Sequence, residues 1–402
     1  MVYRRSVRPR RPRRSGRPTT RPRRKATRTP RRTRRQSQPC KCPAELTPAA
    51  RFALAQLDPF DPRASGAKIP DSNTMPSIAN TDVDQVALTV PAARTVAAIA
   101  FTPTYRGGTM VAAVAAGDVV TWPRGFAAGP PPVGTIGRRN ADNVIAQLEA
   151  IRPVAHAIRM SSSLSATAAK GFVHIGLSVE SRFSDDGLNL NYQWPTTIND
   201  MTGLAHYKRV TLSSLTQSPL TVINKWLDET AFRYDDTRAY QIDTTAAGTP
   251  ATTSVVQSTF NLFGSWATIV VMLEGVTAGE TPISFEHILL TEALPKKNSF
   301  IIGTPAAPNS PSIVSAVSSM QSETDFAHTE AGQNEYVAQG LQALQDGAER
   351  AGDTLMSNVV IPTLQRTAHA GVMTGATMLY NAVVGRGGIS GVNSNPSRLA
   401  IG

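Results

Sequence analysis

Antiparallel strands packed as a sandwich, an all-β fold, are what this sequence predicts. Three observations carry the prediction. Apolar residues alternate at period 2 in successive runs, the residue types are those of strands and turns, and a helical period is nearly absent between the runs. The chain has 402 residues, 41% of them apolar but only 6% aromatic, with 29 Gly and 29 Pro to punctuate the strands. That apolar content suffices for one large domain or two ordinary ones.

In chain order the first strand signal is Val83–Val90, which alternates through Val83, Val86, Leu88 and Val90. Strand-like intervals follow at Thr95–Tyr105, Val154–Leu164, Phe172–Glu180, Tyr207–Leu215, Phe260–Glu274 and Ser284–Leu294. The interval from Phe172 is the clearest, with Val173, Ile175, Leu177 and Val179 opposed to Phe172, His174, Gly176 and Ser178. Trp266 and the run Ile269–Leu273 are expected in the core, alternate residues of the run facing the sandwich interior. Turn chemistry separates the strands: three prolines at 130–132, Asp185-Asp186-Gly187 and a Thr/Ala stretch at 244–254. Only Asn140–Ala150 inside this region reads as a helix. Strands without alternating helices argue against a parallel α/β sheet. Long loops between a few long strands are the habit of Greek-key and jelly-roll domains.

Composition divides the chain into four regions: an arm at 1–42, a Pro-punctuated connector at 43–80, the strand-rich body at 81–304 and a tail at 305–402. The connector opens with a short amphipathic stretch, Leu46–Leu57. In the tail, Val337, Leu341, Leu344, Ala348, Ala351 and Leu355 fall on one helical stripe. Pro362 interrupts it. Leu364, Ala368, Val372, Met373, Ala376, Leu379 and Val383 then make a second apolar face, with Gly371 and Gly375 at small-residue spacing. Two readings stand for this pair: helices packed beneath the body or used in oligomerisation, and a lipid-active element, because the second helix carries one charge, Arg366.

The arm holds the strongest functional signal. Its first 41 residues contain 18 Lys or Arg and no Asp or Glu; the first carboxylate is Glu45. The whole chain carries +12, so the remaining residues hold 23 basic side chains against 29 acidic ones, about −6. The arm is a polycation on a mildly acidic body. Charges this dense repel, and without large apolar side chains the segment cannot offset the entropy of ordering, so it is expected to stay disordered until it meets a polyanion. The expected phosphate contacts are Arg4, Arg5, Arg8, Arg10, Arg11, Arg13, Arg14, Arg17, Arg21, Arg23, Arg24, Lys25, Arg28, Arg31, Arg32, Arg34 and Arg35. Arg makes bidentate contacts to phosphate, and counterion release drives binding without sequence selectivity. A transit peptide would need an amphipathic helix, which Pro9, Pro12, Pro18, Pro22 and Pro30 would break.

Enzyme chemistry finds little support. The only cysteines, Cys40 and Cys42, are too close to close a useful loop, and no nearby pair completes a zinc site. The six histidines are scattered, and His174 and His287 read as satisfied structural residues. No nucleophile elbow, phosphate loop or dinucleotide fingerprint occurs. Nor does any run of 18 apolar residues, so a soluble protein of a reducing compartment is expected.

Local motifs resemble nodavirus capsid proteins. The run DPFDPRASGAKIPD at Asp58–Asp71 is similar to the segment before that family's first jelly-roll strand. GSWATIVVM at Gly264–Met272, followed by Ile283 to Pro295, looks like its last two strands. IRPVAH at Ile151–His156, Ser161–Ser163 and GFVH at Gly171–His174 resemble its central pair. The resemblance covers most of residues 55–300 in order, and coats of the diatom-infecting bacilladnaviruses, which enclose single-stranded DNA, fit equally well. It implies a single eight-stranded jelly roll, a homo-oligomeric icosahedral shell, T=3 size by analogy, and a single-stranded genome, RNA or DNA, bound by the arm. It also implies residence in the virion after synthesis in the host cytoplasm (or nucleus, for DNA), inward-facing C-terminal helices and transient membrane contact through them. No cofactor is expected, and the residues leave an interfacial divalent cation such as calcium open. Insect nodaviruses cleave themselves at an Asn-Ala bond under a nearby aspartate. Here Asp58 and Asp61 flank the matching position, Phe60, while the tail candidate Asn334 is followed by Glu335, so the chain is expected to stay intact. The competing function is a cellular architectural RNA- or DNA-binding protein that forms no shell.

Overall fold

The computed structural model describes residues 46–90, 96–103, 110–116, 119–122, 134–136, 146–179, 183–185, 190–192, 194–236, 265–350, 361–362 and 364–365. Eight principal strands run through them: β1 (Ile78–Leu88), β2 (Val96–Phe101), β3 (Leu148–Ser161), β4 (Phe172–Ser178), β5 (His206–Thr211), β6 (Leu220–Ile223), β7 (Thr268–Glu274) and β8 (Ile283–Pro295). One sheet has the order β1-β8-β3-β6 and the other β5-β4-β7-β2, every pairing antiparallel. The chain crosses between sheets at most steps, and the last strand lies beside the first. This is the jelly-roll order. Short strands extend it: Ala327–Thr329 lies on the free side of β6, and Met110–Ala116, Val119–Thr121 and Gly134–Ile136 build outward from β2.

Alternation explains the layers. Ile269, Val271 and Leu273 of β7 face the core between the sheets with Ile99, Phe101, Ile158, Val173, Ile175 and Phe285. Val270 and Met272 face the opposite side, beneath Trp122, Trp194 and Met201. The whole run Ile269–Leu273 is therefore buried, as expected, with only alternate residues reaching the interior. Gly176 is small for a packing reason: a Cβ there would lie 2.3 Å from Leu204 Cδ1.

Three helices cover the outer face of the β1-β8-β3-β6 sheet: α1 (Pro48–Leu57), α2 (Pro311–Glu323) and α3 (Gln333–Arg350). The side chain of Thr47 accepts from the Ala50 N–H at 3.2 Å and Pro48 opens the first turn, so α1 starts where its sequence permits. It buries Phe52, Ala53, Leu54 and Leu57. Full burial of the Phe and Leu side chains among them is worth about 1.5–3 kcal/mol each. On α3 the expected stripe is realised in Leu341, Leu344 and Ala348, joined by Tyr336. Close approach depends on glycine, since a Cβ on Gly347 would sit 2.9 Å from Ala316 Cα and one on Gly340 2.2 Å from Leu57 Cδ1. Ile361 and Leu364 reach the same core; Ala351, Leu355 and the second apolar face beyond Leu364 lie outside the described residues.

Some boundaries differ from the sequence reading. Residues Leu148–Ala150, expected to end a helix, open β3 instead, because Leu148 and Ala150 pair with Pro295 and Leu294 of β8. Residues 140–145 of that expected helix lie outside the described residues. The interval Tyr207–Leu215 divides at Thr211, whose hydroxyl caps a 3₁₀ turn at Leu212–Thr216. Helix α2 carried no expectation.

Candidate functional site at the helical edge of the sandwich

Strand register lines up one row of polar residues under the helices: Gln85 on β1, Glu286 on β8, Arg159 on β3, Thr221 on β6 and His328 on the edge strand. Arg159 lies 3.6 Å from Glu286, and its guanidinium stands 4.2 Å from the Phe60 ring centroid. At the end of the row the His328 ring stacks on Tyr336 of α3, centroids 4.0 Å apart and planes within 13°.

Asp58 ends α1, its N–H donating to the Leu54 carbonyl at 2.7 Å. Its carboxylate accepts from the Phe60 N–H at 3.1 Å and from Gln333 Nε2 at 2.7 Å. Burial foremost, then the Asp61 carboxylate, raises the Asp58 pKa above the ordinary carboxylate value, against the opposing charge of Arg159. Asp61 is engaged elsewhere, accepting from Arg63 Nη2 at 2.5 Å and Nε at 2.9 Å. The structure thus brings Asp58 to Gln333, one residue short of Asn334. Asn334 is exposed. Its peptide bond to Glu335 lies in the first turn of α3, where the Asn334 carbonyl is committed to the N–H four residues on. That arrangement provides a raised-pKa carboxyl without presenting the Asn334 carbonyl to it.

A second polar cluster holds the connector to the sheet, and the sequence reading missed it. Arg152, 1% exposed, donates to Glu292 Oε2 from Nη2 at 2.7 Å and from Nε at 3.1 Å, and to the Phe232 carbonyl at 2.8 Å. It also pairs with Asp71 and stands 4.0 Å from the Tyr234 ring centroid. Glu292 further accepts from the Ile69 N–H at 3.1 Å and the Ser77 hydroxyl at 2.5 Å. Lys68 Nζ donates to the carbonyls of Ser77, Thr304 and Pro305 at 2.8–2.9 Å. A lone Arg and a lone Glu inside apolar strand runs were the available signal.

The histidines expected to be structural are so. His174 bonds the Tyr207 hydroxyl at 2.8 Å and Glu274 at 2.9 Å. His287 and His156 meet through their Nε2 atoms at 2.7 Å, and Asn224 Nδ2 donates to His156 Nδ1 at 2.8 Å, so His156 carries its proton on Nε2 and donates to His287. Among the described residues no cluster of three or more His, Cys, Asp or Glu could hold a metal, and no helix is long and apolar enough to cross a membrane. All seventeen arm residues named for phosphate contact lie outside the described residues.

No protein-family model and no curated protein matches the chain. Solved structures do. The chain is similar to the T13 viral particle of infectious bursal disease virus at 10% identity and TM-score 0.47, over 76% of this chain and 98% of that one. It is also similar to cocksfoot mottle virus at 12% identity and TM-score 0.30, over 55% and 96%. Tobacco necrosis virus matches at 12% identity and TM-score 0.27, over 56% and 98%.

Proposed function

We propose that this chain is a viral coat protein of nodavirus-like type, assembling with copies of itself into a small icosahedral shell of T=3 size and packaging a single-stranded genome through its basic arm. One joint observation carries the reading: a jelly-roll strand order on a chain whose first 41 residues hold 18 cationic and no anionic side chains. A jelly roll alone serves many functions. A polycation alone serves any nucleic acid.

The body supports a division of labour. The exposed side of α3 carries Glu335, Asp346 and Glu349, and α2 ends in exposed Glu323; α2 and α3 together carry one cation, Arg350. Such a face repels phosphate, which leaves neutralisation of the genome to the arm. Leu46, the first described residue, stands immediately before α1 and packs within the helical layer. In the assembled shell this layer faces inward, the chain stays uncleaved, and the tail beyond α3 supplies any membrane contact.

Expression of the full chain alone, followed by electron microscopy and nuclease treatment, tests the reading. Closed particles that protect nucleic acid support it. A small oligomer that binds nucleic acid without forming a shell would favour the architectural alternative.

A further inference from the structure

We propose that the edge strand Ala327–Thr329 and helix α3 form an acid-released latch, in which protonation of His328 unseats both from the rim of the jelly roll. The latch is slight on the sheet side. Three residues pair with β6, from Leu220↔Thr329 to Val222↔Ala327, and no described strand lies beyond them. On the helix side the stack of His328 on Tyr336, both buried, ties the strand to α3, which is itself also packed through Leu341, Leu344 and Ala348. The Nδ1 atom of His328 is buried with no hydrogen-bond partner. A neutral imidazole tolerates that position, whereas an imidazolium would carry a buried N–H with nothing to receive it.

The charges around the ring set the direction. From its own segment Asp325 faces it, attracting a proton; from β5 comes Lys208, whose Nζ donates to Asp325 Oδ2 at 3.1 Å and to the Ala327 carbonyl at 2.5 Å. From β3 comes Arg159, itself paired with Glu286 of β8; β6 contributes the uncharged Thr221. From α3 comes the Tyr336 phenol, and from the end of α1 Asp58, bonded to Gln333 at the start of α3. Behind the strand, Lys225 donates to the Gln321 and Thr324 carbonyls at the end of α2, and His206 packs 5.8 Å from Phe326. Three cations therefore surround the latch before any histidine titrates.

Burial first, then Lys208 and Arg159, push the His328 pKa down to about 4, with Asp325 opposing. His206 moves in the same direction, by burial and then Lys225. The closed latch holds His328 neutral while an opened latch restores its ordinary value near 6.5, so the closed form loses stability as pH falls through 6.5 and the loss is complete near pH 4. Asp58 works the other way, since its raised pKa favours the closed form on acidification. Its bond to Gln333 leaves the His328 stack as the weaker hold in acid. Opening would expose the pairing edge of β6 and the apolar stripe Tyr336, Leu341, Leu344 and Ala348. The mechanism lies within one chain and does not rest on the coat-protein reading.

Hydrogen exchange on the purified full chain between pH 7 and 4.5, corrected for the intrinsic pH dependence of exchange, tests this. Peptides covering 325–350 should open by up to about two orders of magnitude more at the acid end, while peptides of β7 stay protected. His328→Phe, which keeps the stack and cannot titrate, should flatten the acid response, and His328→Gln provides a second non-titrating variant if the first misfolds. Wild-type protein showing no selective opening of 325–350 would overturn the proposal. So would an undiminished acid response in either folded variant.

Discussion

Arg152 and Glu292 sit fully buried between the connector and the sheet, and their value lies in what each would leave behind. Removing Arg152 strands Glu292 away from water, and removing Glu292 leaves Arg152 with Asp71 alone and the Ile69 N–H and Ser77 hydroxyl without their acceptor. Breaking such a buried pair costs about 3–5 kcal/mol, whereas replacing both with apolar residues of similar volume costs far less. Glu292→Ala should therefore lower the denaturant midpoint strongly, and Arg152→Met combined with Glu292→Leu should recover much of the loss; equal losses in single and double variants would contradict this account. Backbone freedom matters at Gly171, which has φ +98 and whose Cβ would fall 2.4 Å from the Glu274 carbonyl oxygen at the end of β7. Gly171→Ala should cost at least about 1–3 kcal/mol from the backbone conformation alone, read as a lowered melting temperature with the β-sheet signature retained.

At the scale of elements, β7, like β2 beside it, has no solvent face: one side lies in the core between sheets and the other under Trp122 and Trp194. Val270→Asp should bury an unpaired carboxylate and abolish folding and assembly, whereas Val83→Asp on half-exposed β1, where Val83 is 50% exposed, should do neither. Soluble expression and sedimentation of both variants compare them directly. Helix α3 shows how a sequence pattern becomes a contact. Its stripe was legible from the spacing of Leu341, Leu344 and Ala348, but its partners were not, because Leu57 and Ala316 lie far away in the chain. The first part of β3 shows the reverse. Leu148–Ala150 satisfies a helical period locally, and pairing with β8, and of Ala150 with Asp236, makes it a strand.

For the whole molecule, the predictions concern the arm and the integrity of the chain. Deleting residues 1–41 should leave a folded body, since that stretch has almost no large apolar side chains to give a core, and should abolish nucleic-acid packaging. Full-chain binding to nucleic acid should weaken steeply with salt. Packaging by the truncated protein at the full-chain level would refute the role given to the arm. Intact mass spectrometry of assembled protein should give one species near 42.9 kDa. Two fragments meeting after Asn334 would show instead that the first turn of α3 opens far enough for Asp58 to act, and Asp58→Asn should then prevent the cut.

By itself the sequence determined the all-β class, the burial of Trp266 and Ile269–Leu273, the stripe on α3 and the charge asymmetry between arm and body. These follow from period and composition, which are local properties of the chain. Tertiary structure alone decided which distant residues meet. Strand register aligned Glu286, Arg159, Thr221 and His328 in one row. Folding of the connector across the sheet joined Arg152 to Glu292 and Asp71, and packing of α3 on the end of α1 brought Gln333 to Asp58. The physical reason is that burial and charge–charge proximity set the chemistry of these groups, and both depend on contacts between residues up to 275 positions apart.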